Sequence, residues 1–134
     1  MQLHPITVTD GVSISYDSCN KWLYVDWKGE HDNATSYAAC ALILAALRQQ
    51  PCGKILNDNS NISYTTAELS QWGKEWLQDM VAAGLQYFAW VLPRHSTKLE
   101  KVNLNFQSMR GPLVVTFSDV ATAFDWLHQQ QWKL

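Results

Sequence analysis

The chain has 134 residues, 47% of them hydrophobic and 16% charged, which suits one core over 1–134 and excludes a large multidomain enzyme. Seven Trp, five Tyr and four Phe exclude a disordered chain. Ten basic residues against twelve acidic ones give a formal net charge of -2, so no basic field draws in a polyanion and no nucleic-acid partner is expected.

Met1 to Asn20 lacks the basic start and apolar run of a secretory signal. The most apolar stretch, Tyr37 to Leu47, falls well short of the roughly 20 residues that span a bilayer as helix. Cys19, Cys40 and Cys52 are odd in number and fit neither a disulfide framework nor a Cys-x-x-Cys motif. Free thiols, a cytoplasmic location and no transmembrane segment are the expectation.

In chain order, Val12, Ile14 and Tyr16 alternate with Ser13, Ser15 and Asp17, the period of a strand with one buried face. Ser18 to Asn20 make a turn, and Trp22 to Lys28 resumes as the second strand of an antiparallel hairpin. Leu23, Val25 and Trp27 line one side of it, Trp22 and Tyr24 the other. Gly29 breaks the strand, and Asp32 or Asn33 caps a helix from Ala34 to Arg48. That helix holds no charge between Ala34 and Leu47, so it needs cover on most sides, from the sheet, other helices or another subunit.

Pro51 and Gly53 end this unit, and Lys54 to Asp58 reads as a short inner strand followed by a polar loop, Asn57 to Asn61. Thr65 and Glu68 have the spacing of a capping box, predicting a helix that carries Leu69, Trp72, Trp76, Leu77 and Met80 on one stripe and closes at Gly84. Gln86 to Leu92 is a central strand. Ser96 or Thr97 opens a shorter helix with Leu99, Val102 and Phe106 inward, Leu113 to Phe117 is the last strand, and Ser118 or Asp119 caps a final helix with Val120, Ala123, Phe124 and Leu127. The order ββαβαβαβα makes the class α/β: a single mixed five-stranded sheet, its amino-terminal hairpin antiparallel and its remaining strands parallel.

Trp27-Lys28-Gly29 after the second strand, Asn57-Asp58-Asn59-Ser60 after the third, Trp72 to Trp76 in the second long helix and Tyr87-Phe88-Ala89-Trp90-Val91 in the fourth strand resemble the SpoIIAA-like (STAS-like) family of small bacterial proteins. The resemblance runs from about Val12 to Gln130. It implies a mixed sheet with crossover helices largely on one side, often a homodimer, and a non-enzymatic interaction or regulatory role; STAS proteins act as anti-sigma-factor antagonists or transporter-attached regulators switched by phosphorylation. Their Asp-Ser-Ser-Gly motif corresponds to Asp58-Asn59-Ser60-Asn61, which lacks the Gly and the doubled hydroxyl. Ser60, Ser63, Thr65 and Thr66 are the candidate phospho-acceptors, since negative charge is favoured at a helix start, although Thr65 also reads simply as a cap.

The segment Asn57 to Thr65 follows an inner strand, where open α/β sheets bind ligands, so Asn57, Asp58, Asn59, Ser60, Asn61 and Tyr64 form a candidate ligand or partner loop. The same residue types also populate any solvated turn. Glu30-His31-Asp32 is no metal site, because consecutive side chains diverge, and neither metal nor cofactor is expected. Two functions come ahead of a third, an enzyme, which would rest only on Asp58 and the neighbouring loop. One is a protein-binding homodimer whose outward sheet face, with Trp22 and Tyr24, is covered by a second copy or a protein partner. The alternative is a carrier or sensor of a small apolar or amphipathic ligand, held between helices and sheet by Trp72, Trp76, Trp90 and Phe106.

Overall fold

Through residues 1–68, 71–94 and 112–131, which the computed structural model describes, the chain forms β1 (Leu3–Val8), β2 (Val12–Asp17), β3 (Trp22–His31), α1 (Asn33–Gln49), β4 (Lys54–Thr65), α2 (Gln71–Ala82), β5 (Tyr87–Val91), β6 (Leu113–Phe117) and α3 (Val120–Gln129). The strands lie side by side in chain order in one sheet. Pairing is antiparallel from β1 to β3 and parallel from β3 to β6. The α/β class and the mixed sheet stand as expected, but the sheet has six strands, not five. The short helix expected from Ser96 or Thr97, with Leu99, Val102 and Phe106, lies outside the described residues.

The sixth strand is β1. Pro5 interrupts its pattern and removes a donor, which a sheet tolerates at an edge, and the register slips between Pro5 and Thr7. β3 does not stop at Gly29. It continues to His31 because Gly29 takes a positive φ of 75° and absorbs a second irregularity in the pairing with β4.

β4 departs most from expectation. Asn59 to Thr65 has the composition of a turn, yet Asn61, Ile62, Tyr64 and Thr65 pair with Lys28, Gly29, Glu30 and His31, and Ile62 is buried. Partner-strand bonds and one inward apolar anchor override the turn preference of Asn and Ser. Thr65 is therefore the end of a strand and not a helix cap. Its Oγ1 accepts from the Ala67 amide at 3.0 Å, and the Glu68 amide donates to Asn33 Oδ1 at 3.0 Å, so the capping box does not form.

The caps of α1 and α3 do form. Asp32 accepts from the Thr35 amide at 2.8 Å while Thr35 Oγ1 accepts from the Asp32 amide at 2.9 Å, and Asp119 accepts from the Thr122 amide at 2.8 Å. Both carboxyls are held below the ordinary Asp value, chiefly by those amide bonds.

α1 and α2 are crossover helices between parallel strands that advance in one direction across the sheet, and a fixed crossover hand puts both on one face. Ala39, Cys40, Ile43, Ala46 and Leu47 of α1 and Leu77 and Met80 of α2 cover Val12, Ile14, Leu23, Val25, Trp27, Ile55 and Phe88 there. Among the described residues α3 does not link two parallel strands, so that handedness does not place it. It folds onto the opposite face, where Ala123 and Leu127 cover Trp22, Leu56, Ala89 and Val91. Cys40 and Cys52 are core atoms; burial pushes the Cys40 thiol up to about 12 and raises that of Cys52.

The β2–β3 turn is built around buried Asp17. Its carboxylate accepts from the amides of Gln2, Cys19 and Asn20 and, at 2.7 Å, from Asn20 Nδ2. Burial opposes its ionisation, but these bonds outweigh burial and hold the carboxyl below its ordinary 3.8. The ionised form is the one the fold prefers, so this stabilisation is complete above the ordinary value and fades as pH falls through the lower native one. Thermal melts from pH 6 downward should show the unfolding midpoint dropping below about pH 4, with a shallower drop in Asp17→Asn than in the parent.

Candidate functional site

The segment proposed as a ligand loop is a braced strand. Asp26 pairs with Asp58 and Lys28 with Asn61, so Trp27 faces both Asn59 and Ser60 and the strand bulges there. On the α1 side of the sheet, buried Asn57 accepts from the Trp27 indole Nε1 at 2.7 Å, and its Nδ2 donates to Asn59 Oδ1 at 3.3 Å. On the α3 side Asp58, 2% exposed, accepts from Tyr24 Oη at 2.7 Å and from the Ser60 amide and hydroxyl at 2.9 and 2.6 Å. Asn61 Nδ2 donates to Asp26 Oδ1 at 3.0 Å. Burial, the bond to Asp58 and the charges of Asp58 and Asp26 hold the Tyr24 phenol far above its ordinary value, so it remains a donor. Buried polar groups tied to one another this way fix the bulge and the strand alignment.

Of the proposed loop residues, Asn57 with Asn59 and Asp58 with Ser60 thus form two internal pairs on opposite sides of the sheet, while Tyr64 stands apart at 62% exposure. The proposed phospho-acceptors lose their helix-start rationale. Ser60, Ser63 and Thr65 are strand residues, Thr66 continues the pairing through its amide to His31 O, and the described part of α2 begins at Gln71. A phosphate on Ser60 would also meet the Asp58 carboxylate that its hydroxyl now contacts.

Trp22 and Tyr24 do not form an outward face. Trp22 is 0% exposed, its ring edge-on to Phe124 of α3 at 5.1 Å with Lys54 Nζ 5.7 Å from the ring centroid, and Tyr24 is half-buried beside it. The final helix supplies the cover that a second copy had been expected to give.

The four aromatics of the expected pocket divide. Phe106 lies outside the described residues, and Trp90 on β5 packs beside Phe88 in the core under α1 and α2. Trp72 and Trp76 instead line a surface groove between α1 and α2, with Tyr37, Cys40, Ala41, Leu44, Glu75 and Asp79. Trp76 Nε1 donates to Cys40 O at 2.7 Å and so ties the helices together, while its ring packs edge-on to Phe88. Tyr37 and Trp72 meet at 5.3 Å with ring planes 71° apart. The groove encloses about 130 Å³.

His31 is a further residue that acts differently from its sequence neighbourhood. Its buried ring sits edge-on to Trp27, with Nε2 at 3.0 Å from Gly11 O and 3.1 Å from Lys28 O, and Nδ1 at 3.1 Å from Thr35 Oγ1. Nε2 faces only carbonyls and so carries the proton, making His31 a clamp between the sheet and the start of α1. Among the described residues no three His, Cys, Asp or Glu side chains converge on a metal position, and no helix is long and apolar enough to cross a membrane.

No known family model and no curated protein matches the sequence. Among solved structures, the anti-sigma factor antagonist SpoIIAA in its unphosphorylated form superposes over 96% of this chain and 99% of its own, with 17% identity and a TM-score of 0.52. An uncharacterized protein of the DUF3478 family from Shewanella loihica PV-4, with a SpoIIAA-like fold, superposes over 91% of this chain and 98% of its own, with 16% identity and a TM-score of 0.57. Strand order, crossover helices and these superpositions together show that the chain has the SpoIIAA-like fold.

Proposed function

We propose that this chain is a non-enzymatic STAS-like interaction or regulatory domain that works through protein–protein contact as a homodimer, and that its docking surface is the outward face of α1. The likeness to an anti-sigma factor antagonist supports the class. The observation that carries the surface is the exposure of Ala34, Tyr37, Ala38, Ala41 and Ala45 on a helix without a charge from Ala34 to Leu47. A solvent-facing helix stripe ordinarily carries charged or polar side chains, and small residues let a second backbone approach closely.

The ends of α1 favour a second copy. Exposed Asp32 stands at its amino end and exposed Arg48 in its last turn. Antiparallel pairing about a two-fold axis would oppose the helix dipoles and bring Arg48 of each copy to the Asp32 end of the other. A carrier for a hydrocarbon chain fits less well, since pockets for sizeable ligands enclose about 300–1,000 Å³ and the α1–α2 groove encloses about 130 Å³.

Light scattering on a gel-filtration column at tens of micromolar tests the proposal. The parent should elute with dimer mass, and Ala38→Glu with Ala45→Glu should elute as a monomer that still unfolds cooperatively, because both positions face solvent in the single chain. A parent that is monomeric throughout, or a double variant that stays dimeric, overturns it.

A further inference from the structure

The groove between α1 and α2 borders the proposed dimer face, sharing Tyr37 and Ala41 with it, and has a chemistry of its own. Its walls are aromatic: Tyr37, 60% exposed, and Trp72 stand nearly at right angles, with Trp76 beside them. Its rim is acidic, from Glu75 and Asp79 one turn apart on α2. Neither carboxylate has an ion-pair partner among the described residues. Like charges at this spacing disfavour a helix, and a cation seated between them would remove that penalty.

We propose that this groove is a binding site for a small free organic ammonium ion. Aromatic faces attract such a cation through the negative potential of their π systems, and they do so best for alkylated ammonium groups, which are weakly hydrated. The two carboxylates add a longer-range attraction that a neutral molecule of the same shape does not feel. Size agrees: about 130 Å³ resembles the roughly 150 Å³ of an apolar cavity that takes up one benzene, enough for a trimethylammonium group. A metal ion would find carboxylates on one wall and rings on the other, a poor donor set for a hard cation.

The test compares choline with 3,3-dimethylbutan-1-ol, its uncharged carbon counterpart, by amide and indole NMR shifts at constant ionic strength. Choline should bind saturably, with shifts centred on Tyr37, Trp72 and the Trp76 indole, and at least about fivefold more tightly than the neutral alcohol. In Glu75→Gln with Asp79→Asn, both exposed changes that leave the core untouched, that preference should fall by at least about twofold, the remainder being the share of the aromatic walls. Equal affinity for the two probes in the parent, no saturation by choline, or a preference that the double variant leaves unchanged would overturn the site. A monomeric parent in light scattering would leave this expectation standing, so the two proposals fail separately.

Discussion

Truncating Trp22 to alanine should lower the unfolding free energy by about 3–5 kcal/mol, the range for removing a fully buried aromatic from a packed core. Trp22 is wholly enclosed between β3, β4 and α3 and meets Phe124 edge-on. Its loss would open a void under α3, whose contacts with the sheet are made by few side chains. Trp22→Phe should cost much less. The indole N–H of Trp22 has no hydrogen-bond partner among the described residues, so the phenyl ring gives up packing but also removes an unpaired buried donor. Urea unfolding of both variants checks this, and light scattering on the same samples separates the core role from an interface role. A Trp22→Ala variant that unfolds at the parental midpoint but changes mass would return this residue to a docking surface.

The second large effect is expected at Asp58. Asp58→Ala should cost about 1–3 kcal/mol, because it leaves the half-buried Tyr24 hydroxyl and the Ser60 amide without the buried acceptor they share. Asp58→Asn should cost only about 1 kcal/mol. Its amide oxygen can still accept from Ser60, and Tyr24 can turn its hydroxyl to accept from the amide nitrogen. The ordering Ala well below Asn, measured by chemical denaturation, identifies Asp58 as the acceptor that holds the bulge. An alanine variant as stable as the parent would show that the network contributes nothing to the fold.

The elements legible in the sequence are those whose signal is local. β2 and the start of β3 alternate with period two, Asp32 and Asp119 stand where caps belong, and the run Tyr87 to Val91 has the apolar continuity of a strand buried on both sides. The misplaced elements are decided by partners far away in the chain. Leu3 to Val8 shows no alternation across Pro5 and becomes a strand only because β2 offers an edge. Asn59 to Thr65 reads as a turn until β3 extends past Gly29 to pair with it, and the Thr65–Glu68 spacing is then without structural consequence.

The site was legible to a similar degree. Asp58 stood out as a carboxylate at the end of an inner strand, but its occupation by Tyr24 depends on pairing between residues 34 apart in the chain. Trp72 and Trp76 were visible as an aromatic stripe. Nothing local in the sequence joins Tyr37, on another helix, or Glu75 and Asp79 to that stripe; the crossing of α1 and α2 does. A helix without charge over Ala34 to Leu47 did signal a need for cover. Its outer stripe remains exposed, while the face expected to be bare is covered by α3.

The central claim, that α1 presents a docking surface to a second copy, is tested most directly by following backbone amide shifts of the labelled protein on dilution from several hundred to a few micromolar. Concentration-dependent shifts should cluster on the exposed residues between Ala34 and Arg48 and leave Trp22, Tyr24 and the residues of α3 unchanged. Shifts confined to the β1 edge or to α3, or a spectrum that does not change with concentration, would contradict it.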